Sequence, residues 1–162
     1  MGCIVLVNMF TDALERAVLE TLAYSDIFEY PLRLDELHRY LPMRTEMEQL
    51  SSALNRLGNR VQKQADHYFL SGRAEIVGIR EQRTARSRSL LPRALQYGHV
   101  LGALPFIRMV ALTGSLAVMN ISKAADFDYM LVTVPGRVWT ARVFALAFGR
   151  IARRQGDRKS VV

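Results

Sequence analysis

Two aspartates separated by a single residue, Asp126 and Asp128, have the type and spacing in this chain that best suit chemistry. In a β-strand, side chains two apart point to the same face, so a strand that opens at Asp126 presents both carboxylates together. Like charges held so close repel each other unless a cation relieves the repulsion. The spacing is therefore compatible with a metal site. Taken alone, the pair favours the alternative, in which the two acids cap a neighbouring turn or helix.

A glycine–serine turn precedes the two aspartates. The apolar segment Phe106–Leu112 predicts a strand, and Thr113-Gly114-Ser115 predicts a tight turn that ends it and opens a short helix. Free N–H groups at a helix start suit a phosphate, glycine lets the backbone approach it, and serine adds a hydroxyl. A phosphate site at Gly114 and Ser115 beside a metal site at Asp126 and Asp128 predicts that a nucleoside triphosphate binds here with its metal.

The combination of Gly114-Ser115 with Asp126-Phe127-Asp128 resembles the nucleotidyltransferase superfamily of polymerase-β-like fold, and its spacing is similar to that of the minimal nucleotidyltransferases. The resemblance implies Mg²⁺-dependent transfer of a nucleoside monophosphate from a nucleoside triphosphate to an acceptor. It also implies that Asp126 and Asp128 are the catalytic metal ligands, and that Gly114 and Ser115 bind the nucleotide.

Two features depart from that family. Val118-Met119 stands where the family often has Arg-Gly, and Asp157 is the only candidate for the third carboxylate, which the family carries on a later strand. The expected order of strand, turn, strand and helix also leaves a two-stranded sheet, which is marginal alone. We therefore expect an incomplete C-terminal domain, in a fragment of a longer protein or the product of a truncated gene. The third carboxylate would lie on the missing strand, so the same truncation would explain the lack of both.

The N-terminal part predicts three helices followed by a hairpin, which is the order of a winged helix-turn-helix. The expected helices and hairpin strands are Ala13–Ala23, Leu34–Leu41, Glu46–Leu57, Arg60–Gln64 and His67–Leu70. Capping-box patterns that begin at Asp12 and at Thr45 mark two of the helix starts. The segment Tyr24–Leu32 resembles the N-terminal region of bacterial proteins that join such a module to a nucleotidyltransferase domain.

The expected recognition helix, Glu46–Leu57, makes nucleic acid a candidate partner through the N-terminal half. Polar and basic side chains near its end could reach DNA, namely Asn55, Arg56, Asn59 and Arg60. Glu46 and Glu48 at its start suit a phosphate-lined groove poorly. The alternative is a winged helix that serves packing or dimerisation.

An arginine-rich segment, Ser71–Leu91, predicts a long connecting helix that resumes after Pro92 through Arg93–Leu104. The expected fold class is α+β, with a winged-helix-like domain at 1–72, a helical connector at 73–104 and the incomplete nucleotidyltransferase-like domain at 105–162. A last helix is expected at Arg137–Arg153, with Trp139 and Phe144 in the core, and the alternative is that these two rings stack on bases.

The composition of the 162-residue chain agrees with a folded protein that meets anionic partners. Half of the residues are hydrophobic and the formal net charge is +7. The single cysteine, Cys3, and the lack of a transmembrane-length apolar stretch predict a cytoplasmic protein with no membrane partner, and the oligomeric state is left open. The alternatives to a transferase are a winged-helix DNA-binding regulator, with a degenerate or nucleotide-sensing second half, and an inert fragment.

Overall fold

The structure, a computed structural model, describes residues 2–123 and 126–154, with the backbone alone for 2–12 and 152–154. Helices and small antiparallel sheets make up the described chain, so the predicted α+β class is confirmed. The chain divides into two compact units, Met1–Glu81 and Gln82–Val162.

The first unit combines three helices with a three-stranded sheet. Its elements in chain order are α1 (Gly2–Asp26), β1 (Leu32–Arg33), α2 (Leu34–Tyr40), α3 (Met47–Leu57), β2 (Val61–Gln64) and β3 (His67–Leu70). The strands pair antiparallel in the order β1-β3-β2, with Leu32 opposite Tyr68 and Val61 opposite Leu70. The expected hairpin is confirmed, and its turn places Ala65 at a positive φ of 51°.

One apolar cluster joins the three helices of the first unit to β1. Its buried members are Leu14, Ala17, Val18, Leu22, Leu32, Leu37, Leu41, Leu50, Ala53, Leu54 and Leu57. Beside it, the buried Arg80 donates two hydrogen bonds of 2.8 and 2.6 Å to the carboxylate of Glu36 and a third to the carbonyl of Pro31. The guanidinium also lies 4.1 Å from the centre of the Tyr30 ring. A buried cation needs hydrogen-bond partners, and Arg80 finds them in Glu36 and in the carbonyl of Pro31. These bonds hold the Tyr30-Pro31 turn in place.

Two helix starts differ from their predictions. Helix α1 begins at Gly2 rather than after Asp12, because no proline or glycine between Cys3 and Phe10 interrupts it. The capping box of α3 uses Glu46 and Gln49 rather than Thr45 and Glu48. A capping pattern shows where a helix can begin, and a longer run of helix-compatible residues overrides it.

Helix α4 covers Glu75–Gly102, so it begins in the first unit and ends in the second. The prediction had the helix interrupted at Pro92, but the helix continues through that residue. Pro92 is exposed, so the carbonyl that its missing N–H leaves without a partner can bond to water.

The second unit continues with β4 (Ile107–Thr113), the single helical turn α5 (Gly114–Ala117), β5 (Asp128–Thr133) and α6 (Val138–Arg154). Strands β4 and β5 pair antiparallel in a two-stranded sheet, with Thr113 opposite Asp128 and Met109 opposite Val132. A buried cluster of Ala94, Leu116, Ile121 and Phe127 forms the core beside this sheet.

The two faces of the β4–β5 sheet differ in burial. Tyr129 and Leu112 pack against the buried cluster. The face that bears Asp128 also bears Met109, Met130 and Val132, and these three side chains are exposed. One face of this sheet is therefore covered by its own unit and the other is open among the described residues.

Helix α6 contradicts the expected burial of its aromatic residues. Trp139 is 76% exposed and Phe144 is also exposed, although both were expected in the core. The side of the helix that packs inward carries the small residues Ala141 and Gly149. The half-buried Phe148 packs on this side too, with its ring centre 6.0 Å from that of Tyr97, whereas Trp139 and Phe144 lie on other sides of the helix.

Within the described parts of the chain, no helix is both long enough and apolar enough to cross a bilayer.

Candidate functional site

The end of β4 and the start of β5 form the candidate site, because antiparallel pairing brings these two ends together. Thr113 lies opposite Asp128 in the register, and its hydroxyl donates a 3.2 Å hydrogen bond to the carbonyl of Asp128. The residue after Thr113 is Gly114, which opens the helical turn α5. The glycine–serine turn and the second aspartate, which are far apart in sequence, are therefore neighbours in the fold.

The carboxylate of Asp128 occupies the space that a side chain at residue 114 would need. A Cβ added to Gly114 would lie 2.1 Å from Oδ2 of Asp128 and 3.0 Å from its Cγ. Gly114 also has a φ of +66°, a conformation that glycine adopts without strain. We expected Gly114 to give a phosphate access to the backbone. The structure adds that glycine lets the Asp128 carboxylate lie against the turn.

Asp126 and Asp128 share the exposed side of their segment. Both are exposed, whereas Phe127 between them is only 3% exposed and belongs to the core. The strand was predicted to open at Asp126, but β5 begins at Asp128, where pairing with Thr113 starts. Exposed and buried residues nevertheless alternate from Asp126 onward, because the side chain of Phe127 packs into the core between the two exposed acids.

The two aspartates are the only acidic residues between Gln82 and Arg154. Among the described side chains, neither takes part in an ion pair. Two exposed carboxylates on one side, with no neighbouring cation bound to them, leave oxygen atoms available to a hard metal ion. Mg²⁺ suits such a pair because it is held by one or two carboxylates and keeps several waters.

A third acidic ligand is not found in the described chain. No group of three or more His, Cys, Asp or Glu side chains that could hold a metal occurs within residues 2–123 and 126–154. Asp157, the one candidate for the third carboxylate, lies outside the described residues.

Ser115 lies in a turn of only four residues, Gly114–Ala117. So short a helix has little of the dipole that a long one has, and its contribution to phosphate binding rests on local N–H and hydroxyl groups. The carbonyl of Ser115 accepts a 2.8 Å hydrogen bond from the N–H of Asn120, which holds the start of the following loop against the turn.

Three residues of α4 hold the loop that connects the two motifs, and the sequence analysis did not identify them. Ser87, fully buried, accepts a 3.3 Å hydrogen bond from the N–H of Ile121. Arg83 donates to the side-chain oxygen of Asn120 at 3.3 Å, and Arg86 donates to the carbonyl of Lys123 at 3.4 Å. In the sequence, these side chains were part of an arginine-rich connector. Their spacing of three and four residues on one helix face was the only available signal.

Tyr129 supports the site from the opposite face of the sheet. Its hydroxyl donates a 2.7 Å hydrogen bond to the carbonyl of Ala94. Burial raises the pKa of Tyr129 to about 12, since desolvation penalises the phenolate. The hydroxyl therefore stays protonated at neutral pH and keeps donating to the carbonyl of Ala94.

The basic residues expected to reach DNA in the first unit have acidic partners. Arg56 donates a 2.8 Å hydrogen bond to Glu15, and Arg60 lies 3.7 Å from the same carboxylate. The charge of the chain is also unevenly divided. Of the 22 Lys and Arg residues 13 belong to Gln82–Val162, as do only 3 of the 15 Asp and Glu residues. The first unit thus has a formal charge of −3 and the second of +10.

Comparison with known proteins finds no family model, no curated protein and no solved structure that matches this chain.

Proposed function

We propose that this protein is a Mg²⁺-dependent nucleotidyltransferase, which moves a nucleoside monophosphate from a nucleoside triphosphate to an acceptor. One observation carries the proposal: the carboxylate of Asp128 fills the space beside Gly114 that a side chain would otherwise take. Gly114 and Asp128, the two parts of the motif, therefore lie against each other in the fold. The matching orientation of Asp126 adds a second oxygen ligand on the same side.

In this proposal each residue of the site has one role. Asp126 and Asp128 hold Mg²⁺ through their carboxylate oxygens. When bound, Mg²⁺ neutralises the triphosphate and the charge that develops during in-line displacement at phosphorus. Gly114 keeps Asp128 against the turn, and Ser115 offers its hydroxyl and N–H to the phosphates. The family's third carboxylate, which would accept the proton of the attacking hydroxyl as a general base, has no candidate among the described residues.

The proposed fold follows the order of the elements. The first unit, with α1, α2 and α3 followed by the β2–β3 hairpin, is proposed to be a winged helix-turn-helix. The second unit is proposed to have a polymerase-β-like fold, because β4, α5, β5 and α6 follow the order of strand, turn, strand and helix expected for such a domain.

Calorimetric titration with ATP, GTP, CTP and UTP, each with and without Mg²⁺, tests the proposal. We expect Mg²⁺-dependent binding of at least one triphosphate, and we expect the double variant Asp126→Ala/Asp128→Ala to lose it. Asp66→Ala is the matched control, because Asp66 is an exposed acid in the hairpin turn of the first unit. A folded wild-type chain that binds no triphosphate would refute the proposed function.

A winged-helix DNA-binding regulator is the second candidate, and the element order of the first unit favours it. The charge of −3 on that unit and the contacts of Arg56 and Arg60 with Glu15 support it less. A regulator of this type would bind duplex DNA with strong salt dependence and would lose that binding on Arg56→Glu. Unchanged DNA binding by Arg56→Glu would exclude α3 as its recognition helix.

A further inference from the structure

We propose that the outer side of α6 binds single-stranded nucleic acid. The surface consists of Trp139, Arg142, Val143, Leu146 and Arg150, and we call it the Trp139 face. All five side chains are exposed. Successive residues of an α-helix are about 100° apart around its axis, so the spacings of three and four place all five within a sector of about 100°. The face lies in the unit that carries the formal charge of +10.

The large exposed ring of Trp139 is the first reason. Trp139 is 76% exposed and Val143 beside it is 65% exposed, in a helix whose small residues face the core. Large apolar side chains that remain in water indicate an interaction surface when they cluster. A flat indole ring in the open is suited to stack on an unpaired base, whatever the identity of that base.

The arginines on this face are the second reason. The guanidinium of Arg142 lies 5.8 Å from the centre of the Trp139 ring, and Arg150 is exposed two turns further along α6. Among the described side chains neither arginine forms an ion pair. Cations beside a stacking ring match a strand in which phosphates alternate with bases. The Trp139 face therefore complements a single strand in two ways, since its arginines match the phosphates and its indole ring matches the bases.

A bilayer surface fits the same face less well. A helix that lies in a membrane interface has a continuous apolar side with its basic residues on the opposite side. On α6 the small and apolar inward side is already in contact with its own unit. On the outer side, the position of Arg150 around the helix axis is between those of Trp139 and Val143. Insertion of these apolar groups into lipid would take the guanidinium with them.

Duplex DNA also fits less well, because its bases are already stacked and cannot reach an exposed ring. From Trp139 to Arg150 the helix rises about 16 Å, which suits a few nucleotides of an extended strand. The proposal does not depend on nucleotidyl transfer, since no residue of the Trp139 face belongs to the motif at Gly114 and Asp128.

The fluorescence of the whole chain gives a direct test, because Trp139 is its only tryptophan. Titration with oligothymidylate of about 20 nucleotides should quench the emission without a blue shift, as expected when a base stacks on indole. The corresponding duplex should quench less at equal nucleotide concentration. Vesicles of phosphatidylcholine and phosphatidylserine should leave the spectrum unchanged. A blue shift with vesicles and no response to the oligonucleotide would overturn the proposal in favour of a membrane surface.

Anisotropy of a labelled oligothymidylate then tests the individual residues. We expect Trp139→Ala to weaken binding roughly 5- to 100-fold, the effect of losing one stacked base, and Trp139→Phe to retain most of it. Arg142→Glu should weaken binding and lower the salt dependence by the contribution of about one phosphate contact. Arg88→Glu on α4 is the matched control for net charge, and it should bind more tightly than Arg142→Glu. Equal affinity for these two variants, or unchanged affinity for Trp139→Ala, would refute the proposal.

Discussion

Replacement of Gly114 by alanine should displace the carboxylate of Asp128 and so weaken the proposed binding of Mg²⁺. The added Cβ would lie 2.1 Å from Oδ2 of Asp128, whereas ordinary van der Waals contact begins at 3.4 Å. The carboxylate, which is the movable end of an exposed side chain, would have to shift by more than about 1 Å. Misplacement of a reacting group by about 1 Å can cost roughly 100-fold in rate.

Gly136→Ala is the matched control for the backbone cost. Gly136 has a φ of +74°, close to the +66° of Gly114, but a Cβ there would meet no atom within 4 Å. Both variants therefore pay the left-handed strain of a non-glycine residue, about 1–2 kcal/mol. In a unit of this size that strain lowers Tm by roughly 4–16 °C. Any further loss in the Gly114 variant measures the collision with Asp128.

Calorimetry of Mg²⁺-triphosphate binding and thermal unfolding without ligand together test this reasoning. We expect Gly114→Ala to bind Mg²⁺-triphosphate about 10- to 100-fold more weakly than Gly136→Ala, the usual effect of disturbing the support of a metal ligand. We also expect it to unfold at a lower temperature than Gly136→Ala. Equal affinity and equal Tm for the two variants would show that the contact between residue 114 and Asp128 has no energetic consequence.

Two further predictions concern stability. Ser87→Ala should destabilise the second unit by about 1–3 kcal/mol, because the buried N–H of Ile121 loses its acceptor, whereas the exposed Ser89→Ala should cost less than about 0.5 kcal/mol in urea unfolding. The second concerns pH: burial, followed by the charge of Arg80, lowers the pKa of His67 below its ordinary 6.5. The unfolded chain therefore takes up a proton first, and the free energy of unfolding should fall by at most about 1.4 kcal/mol per pH unit as the pH drops below 6.5.

Each of these predictions has an outcome that contradicts it. Equal losses for the alanine variants of Ser87 and Ser89 would show that the loop is held by other contacts. For the pH dependence, His67→Gln should remove the loss of stability that begins near pH 6.5, and the exposed His99→Gln should keep it. The pKa of Glu36 is also lowered: burial would raise it, but the bonds from Arg80 outweigh that effect. The stability that Glu36 contributes is therefore lost only when the pH falls below 4.5, its ordinary pKa, whereas the effect of His67 begins near pH 6.5.

Local signals predicted much of the fold. The hairpin around Ala65-Asp66 is confirmed, and so is the end of the helix at Leu57, which Gly58 follows with a φ of +52°. These features depend on the conformation of one or two residues, which the sequence encodes directly. The Gly114–Ala117 turn was predictable for the same reason. The contact of Gly114 with Asp128 was not, because it follows from the strand register.

The predictions that differ from the structure share a physical cause. In each case the outcome depends on contacts between residues that are separated in the sequence. The outward position of Trp139 follows from which side of α6 packs against its unit, namely the side of Ala141 and Phe148, and hydrophobicity alone predicted burial. Ser87 appeared to be one polar residue among arginines, and only the fold brings the N–H of Ile121 to it. The start of β5 was placed at Asp126 because alternation extends beyond the residues that pair with β4.

Asp126 and Asp128 both depend on the buried side chain of Phe127 for their position. Because this one side chain anchors the segment, a substitution that removes its packing disturbs the carboxylates on both sides at once. Insertion or deletion of one residue beside it would turn one acid inward and the other outward. A diverging lineage could therefore lose the site through a change that leaves both aspartates in the sequence. Among distant relatives, a large apolar residue between the two acids should be a better sign of an intact site than the acids themselves.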